Sequence, residues 1–286
     1  MDTDTMTKPP KSAGPTYSAP ALEKGLDILE MLCRSNIPLS QTEIAEKLGR
    51  SIGEIYRMLT CLVNRNYILN NNEMYVVTTK LFELAHANPP TNRLLAEAAP
   101  LMQELSSELN QASHLTVYNQ GRQVVIAKVD NPGGLGFSVR VGGELDVLVS
   151  ASGRALLAFL DPETAEHRIR ESVQRRPEHA SVKIKQVLEA VRKRGFESIV
   201  SAQIKGLYAV SYPILDTRNY AIAALTVAYA ERIDQPNLKS IPEVEVALGK
   251  AAKTLSQRMG WREPSPKETT SQVLHTSETQ KRVRRK

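Results

Sequence analysis

The chain has 286 residues, 41% of them hydrophobic, and its 37 lysines and arginines exceed 31 aspartates and glutamates for a formal charge of +6. Such a length suggests two domains with a core each. The sequence has no run of about 18 apolar residues and no signal-peptide pattern, so a soluble, intracellular, cytoplasmic protein is expected.

The basic excess is not where a nucleic-acid interface would need it. Residues 20–90 carry seven basic and eight acidic side chains, whereas residues 262–286 carry seven basic and three acidic ones. Net charge therefore does not argue for DNA binding, although locally placed cations and neutral donors still can. Cys33 and Cys61 fall in predicted helices and read as small core residues in a reducing compartment. The histidines, His86, His114, His167, His179 and His275, are scattered without metal spacing, so neither metal nor cofactor is expected.

Residues 1–19 are polar, with Pro9, Pro10 and Pro15 and no periodicity, and are expected to be disordered. A helix follows from Ala21, with Leu22, Leu26, Leu29 and Leu32 on one stripe. Ser40-Gln41-Thr42-Glu43 is a capping box that opens a second helix carrying Ile44, Ala45 and Leu48, and Gly49 stands just past its end. Ser51-Ile52-Gly53-Glu54 is another box, opening a helix whose Ile55, Met58, Leu59 and Leu62 share a face. Two short helices separated by Gly49 and Arg50 must turn sharply, which is helix-turn-helix geometry with the second helix aimed at the major groove.

On that second helix Gly53, Tyr56, Arg57, Thr60 and Asn64 lie opposite the core face. Arg57 is placed to read guanine or to clamp a phosphate. Glu54 has two readings, cytosine acceptor or capping partner of Ser51, and the box favours the cap. Asn66 suits a left-handed C-cap. Residues 67–69 then read as a strand, Asn70-Asn71-Asn72 as a turn and residues 74–77 as the returning strand, together a wing. The expected reading face is Gly53, Tyr56, Arg57 and Thr60, flanked by Arg50, Ser51 and Asn71.

Thr79 is predicted to cap a short apolar helix carrying Leu81, Phe82, Leu84 and Ala85 before Pro89-Pro90, a linker that either packs on its own first domain or pairs with its copy in a homodimer, the second being favoured. A long helix follows from Thr91, with Pro100 kinking it. From His114 the period changes to two: residues 114–118, 123–129 and 137–141 read as strands. Helices are predicted over residues 152–160, 163–174 and 183–193, strands over 207–214 and 221–230, and a last helix over 242–259. That order indicates an α+β domain around an antiparallel sheet, an architecture associated more often with ligand sensing than with catalysis. The expected organisation is a disordered N-terminus to residue 19, a winged helix-turn-helix over 20–78, a linker helix over 79–90, an effector domain over 91–261 and a disordered basic tail over 262–286.

Several stretches resemble one family in order and spacing. They are Ala21-Leu22-Glu23-Lys24-Gly25-Leu26-Asp27-Ile28-Leu29, Tyr56-Arg57-Met58-Leu59, Ser150-Ala151-Ser152-Gly153-Arg154-Ala155-Leu156-Leu157-Ala158, Gly195-Phe196 and residues 206–213. Over almost all of residues 20–260 the chain is similar to the IclR (isocitrate lyase regulator) family of bacterial transcription regulators. The resemblance implies DNA binding through the winged helix, a dimerising linker helix, and a GAF-like effector domain that takes a small, usually carboxylate-bearing metabolite. The expected protein binds a palindromic operator on double-stranded DNA as a homodimer or homotetramer.

Read by themselves, Ser150, Ser152 and Gly153 open a helix where free N–H groups, hydroxyls and the positive dipole end converge, which would suit an anion, although plain N-capping by Ser150 or Ser152 is the reading the residues alone favour. The resemblance places Ala151 and Ser152 on a ligand pocket, faced by Ala209, Ser211, Thr226 and Ala228. The chain departs from the family at residues 201–205, which lack the acidic residues frequent there, at Ala209, where some members carry cysteine, and at Ile52-Gly53, where polar residues are more usual. A hydrolase using Ser152 is the alternative, but no G-x-S-x-G elbow and no activating partner is placed beside it.

Overall fold

A computed structural model describes residues 19–87, 89–134, 136–233 and 238–263. The chain divides into two compact units, Met1–Asn92 and Arg93–Lys286.

The first unit begins with α1 (Pro20–Arg34), then β1 (Leu39–Ser40), α2 (Gln41–Leu48) and α3 (Ile52–Asn64). The hairpin β2 (Ile68–Asn71) and β3 (Met74–Val77) and the short helix α4 (Lys80–His86) follow. Both capping boxes form. Ser40 Oγ accepts from the Glu43 N–H at 3.3 Å while Glu43 Oε2 accepts from the Ser40 N–H at 2.7 Å; the Ser51 and Glu54 pair does the same at 3.4 and 3.0 Å. Gly49 ends α2 at φ 62°, in the left-handed region that glycine adopts without strain, so α3 can start three residues later. Asn66 likewise takes φ 59° after α3.

Ile28, Leu32, Ile44, Ile55, Leu59 and Ile68 form the buried centre of this three-helix unit, with Leu39 and Tyr75 from the small β1-β3-β2 sheet. Only the second half of the α1 stripe is buried, since Leu22 and Leu26 are exposed. Cys33 and Cys61 are exposed too, contrary to the core reading: each follows an inward residue by one or two positions and so points off the packed face. The wing turn lies one residue further on than expected. Asn70 and Asn71 pair in the ladder, and Asn72 and Glu73, at φ 51° and 63°, make the turn. Thr79 does not cap α4 through its side chain; its hydroxyl meets Glu83, and Thr78 Oγ1 accepts from the Lys80 N–H at 3.1 Å.

The long helix α5 (Pro89–Leu109) starts two residues earlier than the sequence suggests and runs unbroken through Pro100. In the second unit β4 (Ala112–Asn119), β5 (Arg122–Val129) and the two-residue β6 (Glu144–Leu145) form the first half of a sheet. Next come α6 (Ala151–Ala158), α7 (Pro162–Arg175), a 3-10 turn (Pro177–His179) and α8 (Ile184–Arg194). The chain then returns through β7 (Glu197–Val200), β8 (Leu207–Leu215) and β9 (Ala221–Ala230) and closes with α9 (Ile241–Arg258). The six strands lie in the order β6-β5-β4-β9-β8-β7, every pairing antiparallel.

Strand period two sorts the β9 side chains between two compartments. Ala223, Leu225 and Val227 join Val210 and Ile214 of β8 and the α5 and α9 residues Ala98, Met102, Leu105, Leu248 and Leu255 in the main core. Ala224, Thr226 and Ala228 face the other way, where α6 packs. Residues 137–141 are not a strand. Glycines at 133, 134, 136, 142 and 143 surround them, Gly142 at φ 77°, and the chain turns back to bond β5 only from Gly142 onward, where Gly142 and Gly143 meet Val125 and β6 follows. The expected disordered ends, 1–19 and 262–286, lie almost wholly outside the described residues.

Candidate functional site

Two surfaces carry the chemistry. On α3 the face opposite Ile55 and Leu59 exposes Ser51, Gly53, Tyr56, Arg57, Thr60 and Asn64 together. A Cβ on Gly53 would meet nothing within 4 Å, so the interior does not demand glycine there. The cations differ in availability. Arg50 Nη2 is held by Asp27 at 2.9 Å and Lys24 Nζ by Glu54 at 2.9 Å, whereas Arg57 makes no ion pair among the described residues. Glu54 is committed to the cap: the Ser51 backbone N–H, then Lys24 and the Ser51 hydroxyl, hold its carboxyl down at about 2. Thr60 Oγ1 donates to the Tyr56 carbonyl at 3.0 Å and Asn71 is exposed at the end of β2, beside the wing turn.

The other surface is a cavity of about 90 Å³ over the α6 face of the large sheet. A single water needs roughly 10–15 Å³ on such a measure, so there is room for a small multi-atom ligand. Ser150, Ala151 and Ser152 of the α6 N-terminus, Ala209 of β8, and Thr226 and Ala228 of β9 all line it. The registers explain why: Ser211 is opposite Thr226, which is opposite His114, and Ala209 is opposite Ala228, so one patch of sheet presents these side chains as neighbours.

Two predicted residues support the wall without lining it. Gly153 lies against the backbone of Val147, where a Cβ would sit 2.0 Å from the carbonyl oxygen. Ser211 is fully buried and bonds the Thr226 hydroxyl at 2.8 Å.

A buried polar network fixes the entry to α6. Gln123 Nε2 donates to Ser150 Oγ at 2.8 Å and to the Asp146 carbonyl at 2.6 Å, while its Oε1 accepts from Thr116 Oγ1 at 3.0 Å. Ser150 Oγ also accepts from the Gly153 N–H at 3.1 Å and donates to the Asp146 carbonyl. Asp146 Oδ1 in turn accepts from the N–H groups of Leu148 and Val149, and its Oδ2 meets Arg176 Nε at 3.2 Å and His179 Nδ1 at 3.0 Å. The Ser150 hydroxyl is therefore spent on structure. Among the described residues Ser152 Oγ hydrogen-bonds only Ser150, at 3.4 Å, and the first two α6 amides, Ala151 and Ser152, have no protein acceptor. With no base or carboxylate bonded to it among the described residues, Ser152 shows no activated-nucleophile geometry there.

Family models match both units: a bacterial transcriptional regulator IclR C-terminal domain over residues 91–257 and an IclR helix-turn-helix domain over residues 21–71. The chain belongs to the IclR family. IclR proteins are DNA-binding transcriptional regulators with a C-terminal ligand-binding domain, not enzymes. The HTH-type transcriptional regulator KdgR of Escherichia coli is 26% identical over 227 residues, covering 77% of this chain and 85% of that one. The crystal structure of Pseudomonas aeruginosa HmgR shares the fold at a TM-score of 0.66 and 24% identity, covering 85% of this chain and all of that one. An IclR homologue from Microbacterium hydrocarbonoxydans, complexed with 4-hydroxybenzoate, aligns at a TM-score of 0.66 and 17% identity, covering 84% and 98% of the two chains.

Sequence reasoning missed several residues that line this IclR-family cavity, among them His114, Phe137, Val139, Ile199 and the 201–204 segment. The apolar alternation at Phe137 and Val139 was a signal for it, mistaken for a sheet ladder. His114 falls in the strand read over residues 114–118, and no local signal marks it as facing a cavity.

Proposed function

We propose that this protein is a ligand-responsive cytoplasmic transcription regulator that binds a palindromic operator as a dimer or tetramer, and that a small organic acid in the α6 cavity shifts its operator affinity. The observation that carries the ligand half is the opening of the α6 N-terminus into an apolar-walled cavity, with two amides and the Ser152 hydroxyl free for an anion. The Arg57 face supports the DNA half, with Gly53, Tyr56, Thr60 and Ser51 around it and Arg50 and Asn71 at its margins. The presence of 4-hydroxybenzoate in one structural relative agrees with a carboxylate-bearing ligand. Two-fold symmetric operators suit a two-fold protein, which supports the dimer. Coupling between such sites is typically about 1–3 kcal/mol.

The experiment is a thermal-shift screen of small organic acids against the full chain, followed by DNA retention with and without each stabilising acid. An acid that raises the melting temperature and changes retention supports the reading, and Ser152→Trp should abolish both effects while the protein stays folded. A response unchanged by Ser152→Trp places the ligand elsewhere.

A further inference from the structure

His114 sits on β4, only 6% exposed, with its imidazole on the cavity and no hydrogen-bond partner among the described residues. Its neighbours across the ladder offer no help. Lys128, opposite it on β5, is turned to Asp130 and Ser138, and Thr226, opposite it on β9, is bonded to Ser211. Buried polar groups are normally paired, and an unpaired one in a ligand cavity is a place where a ligand group belongs. Burial also holds the ring neutral at the pH of a cell, its pKa lowered to about 4, so it can give one N–H and accept at the other nitrogen.

The rest of the lining restricts what that ligand can be. No lysine, arginine, aspartate or glutamate is among the described lining residues. One negative charge is met by the α6 amides and Ser152. A second would find only neutral groups, Ser201, Gln203 and Thr226 among alanines, Phe137, Ile199 and Leu207, and no cation to offset its desolvation, which is unfavourable. We infer that the effector is a monocarboxylate bearing one uncharged hydrogen-bonding group, a hydroxyl or carbonyl, and that His114 is the residue that selects for that group. This rests on the α6 cavity being the effector site. A ligand lacking the second group leaves the imidazole unpaired, and one with a second carboxylate leaves a charge unpaired.

The test is calorimetric titration of the full chain with two matched sets of acids: butyrate, 4-hydroxybutyrate and succinate, and benzoate, 4-hydroxybenzoate and terephthalate. In at least one set the hydroxy acid is expected to bind about tenfold tighter than its unsubstituted parent, about 1.4 kcal/mol, with the diacid weakest. His114→Phe erases that gap, and His114→Gln, which keeps a donor and an acceptor, retains it. A parent or diacid that equals the hydroxy acid in both sets overturns the inference, as does a gap that persists in His114→Phe. Should His114→Phe fail to fold, judged by circular dichroism, the wild-type ranking and His114→Gln decide alone. Binding of the acids that survives Ser152→Trp, or no binding by any of the six, is instead a failure of the cavity assignment, and the inference falls with it.

Discussion

Gly153→Ala is the smallest change that should damage the effector unit. The added Cβ would lie 2.0 Å from the Val147 carbonyl oxygen and 2.5 Å from its carbonyl carbon. Neither side has room to yield. Seven of the eight α6 residues are buried, and Asp146 pins the chain just beyond Val147 through the Leu148 and Val149 amides. Overpacking that moves backbone costs about 1–3 kcal/mol and sometimes more, and rigid backbone on both sides puts this case near the upper end. At roughly 2–4 °C per kcal/mol for a domain of this size, the melting temperature of the unit should fall by roughly 6–12 °C. Trp261, the only tryptophan, reports on this unit because its Nε1 donates to Asn219 Oδ1 at 2.7 Å, so fluorescence-detected melting is the assay. Gly53→Ala is the internal control. Its Cβ meets nothing within 4 Å, and alanine in place of a helical glycine should stabilise α3 by up to about 1 kcal/mol, read by amide exchange. A Gly153→Ala protein within about 0.5 kcal/mol of wild type would show that α6 is not wedged against Val147 as described.

Arg57→Ala should weaken operator retention by about 1–3 kcal/mol, and Arg50→Ala by less, because Asp27 already holds that guanidinium; equal losses in a DNA shift assay would contradict the ranking. Acid should loosen the start of α3: Glu54 is held at about 2 against an ordinary 4.5, so its contribution is whole above pH 4.5 and is lost as the pH falls towards 2. Amide exchange of the first α3 turn, compared with Glu54→Gln, reads that window. For His114 the unfolded chain takes up its proton first as the pH falls, so the stability it contributes is whole above pH 6.5 and lost towards pH 4. His114→Gln should flatten the stability profile of the second unit over that interval by up to roughly 3 kcal/mol, measured by tryptophan-detected denaturation.

What could be read in advance was local. The two capping boxes, Gly49 and Asn66 need no partner outside a few residues, and all of them form as the sequence suggests. The α6 segment was legible as a helix start and as a family match, but its role as one wall of a cavity depends on the strands opposite. His114 meets Thr226 only through an antiparallel pairing across more than a hundred residues, Ile199 joins them only through the β7, β8 and β9 ladders, and no single stretch encodes that register. Residues 137–141 misled because alternation marks one apolar face and says nothing of whether the backbone has a ladder partner. Cys33 and Cys61 misled because membership of a helix does not fix which side of it a residue occupies.

The division of β9 between two compartments bears on how such a regulator can change through descent. Thr226 and Ala228 look into the cavity while Leu225 and Val227, alternating with them, sit in the core. Point substitutions at alternate positions can therefore retune ligand choice with the core composition intact, and the strand is open to new specificity by single steps. A one-residue insertion or deletion in the same strand exchanges the two sets, placing leucine in the ligand space and threonine in the core. Lineages are thus expected to vary in residue type at position 228, and at 226 together with its bonded partner Ser211, while keeping the length of this strand unchanged.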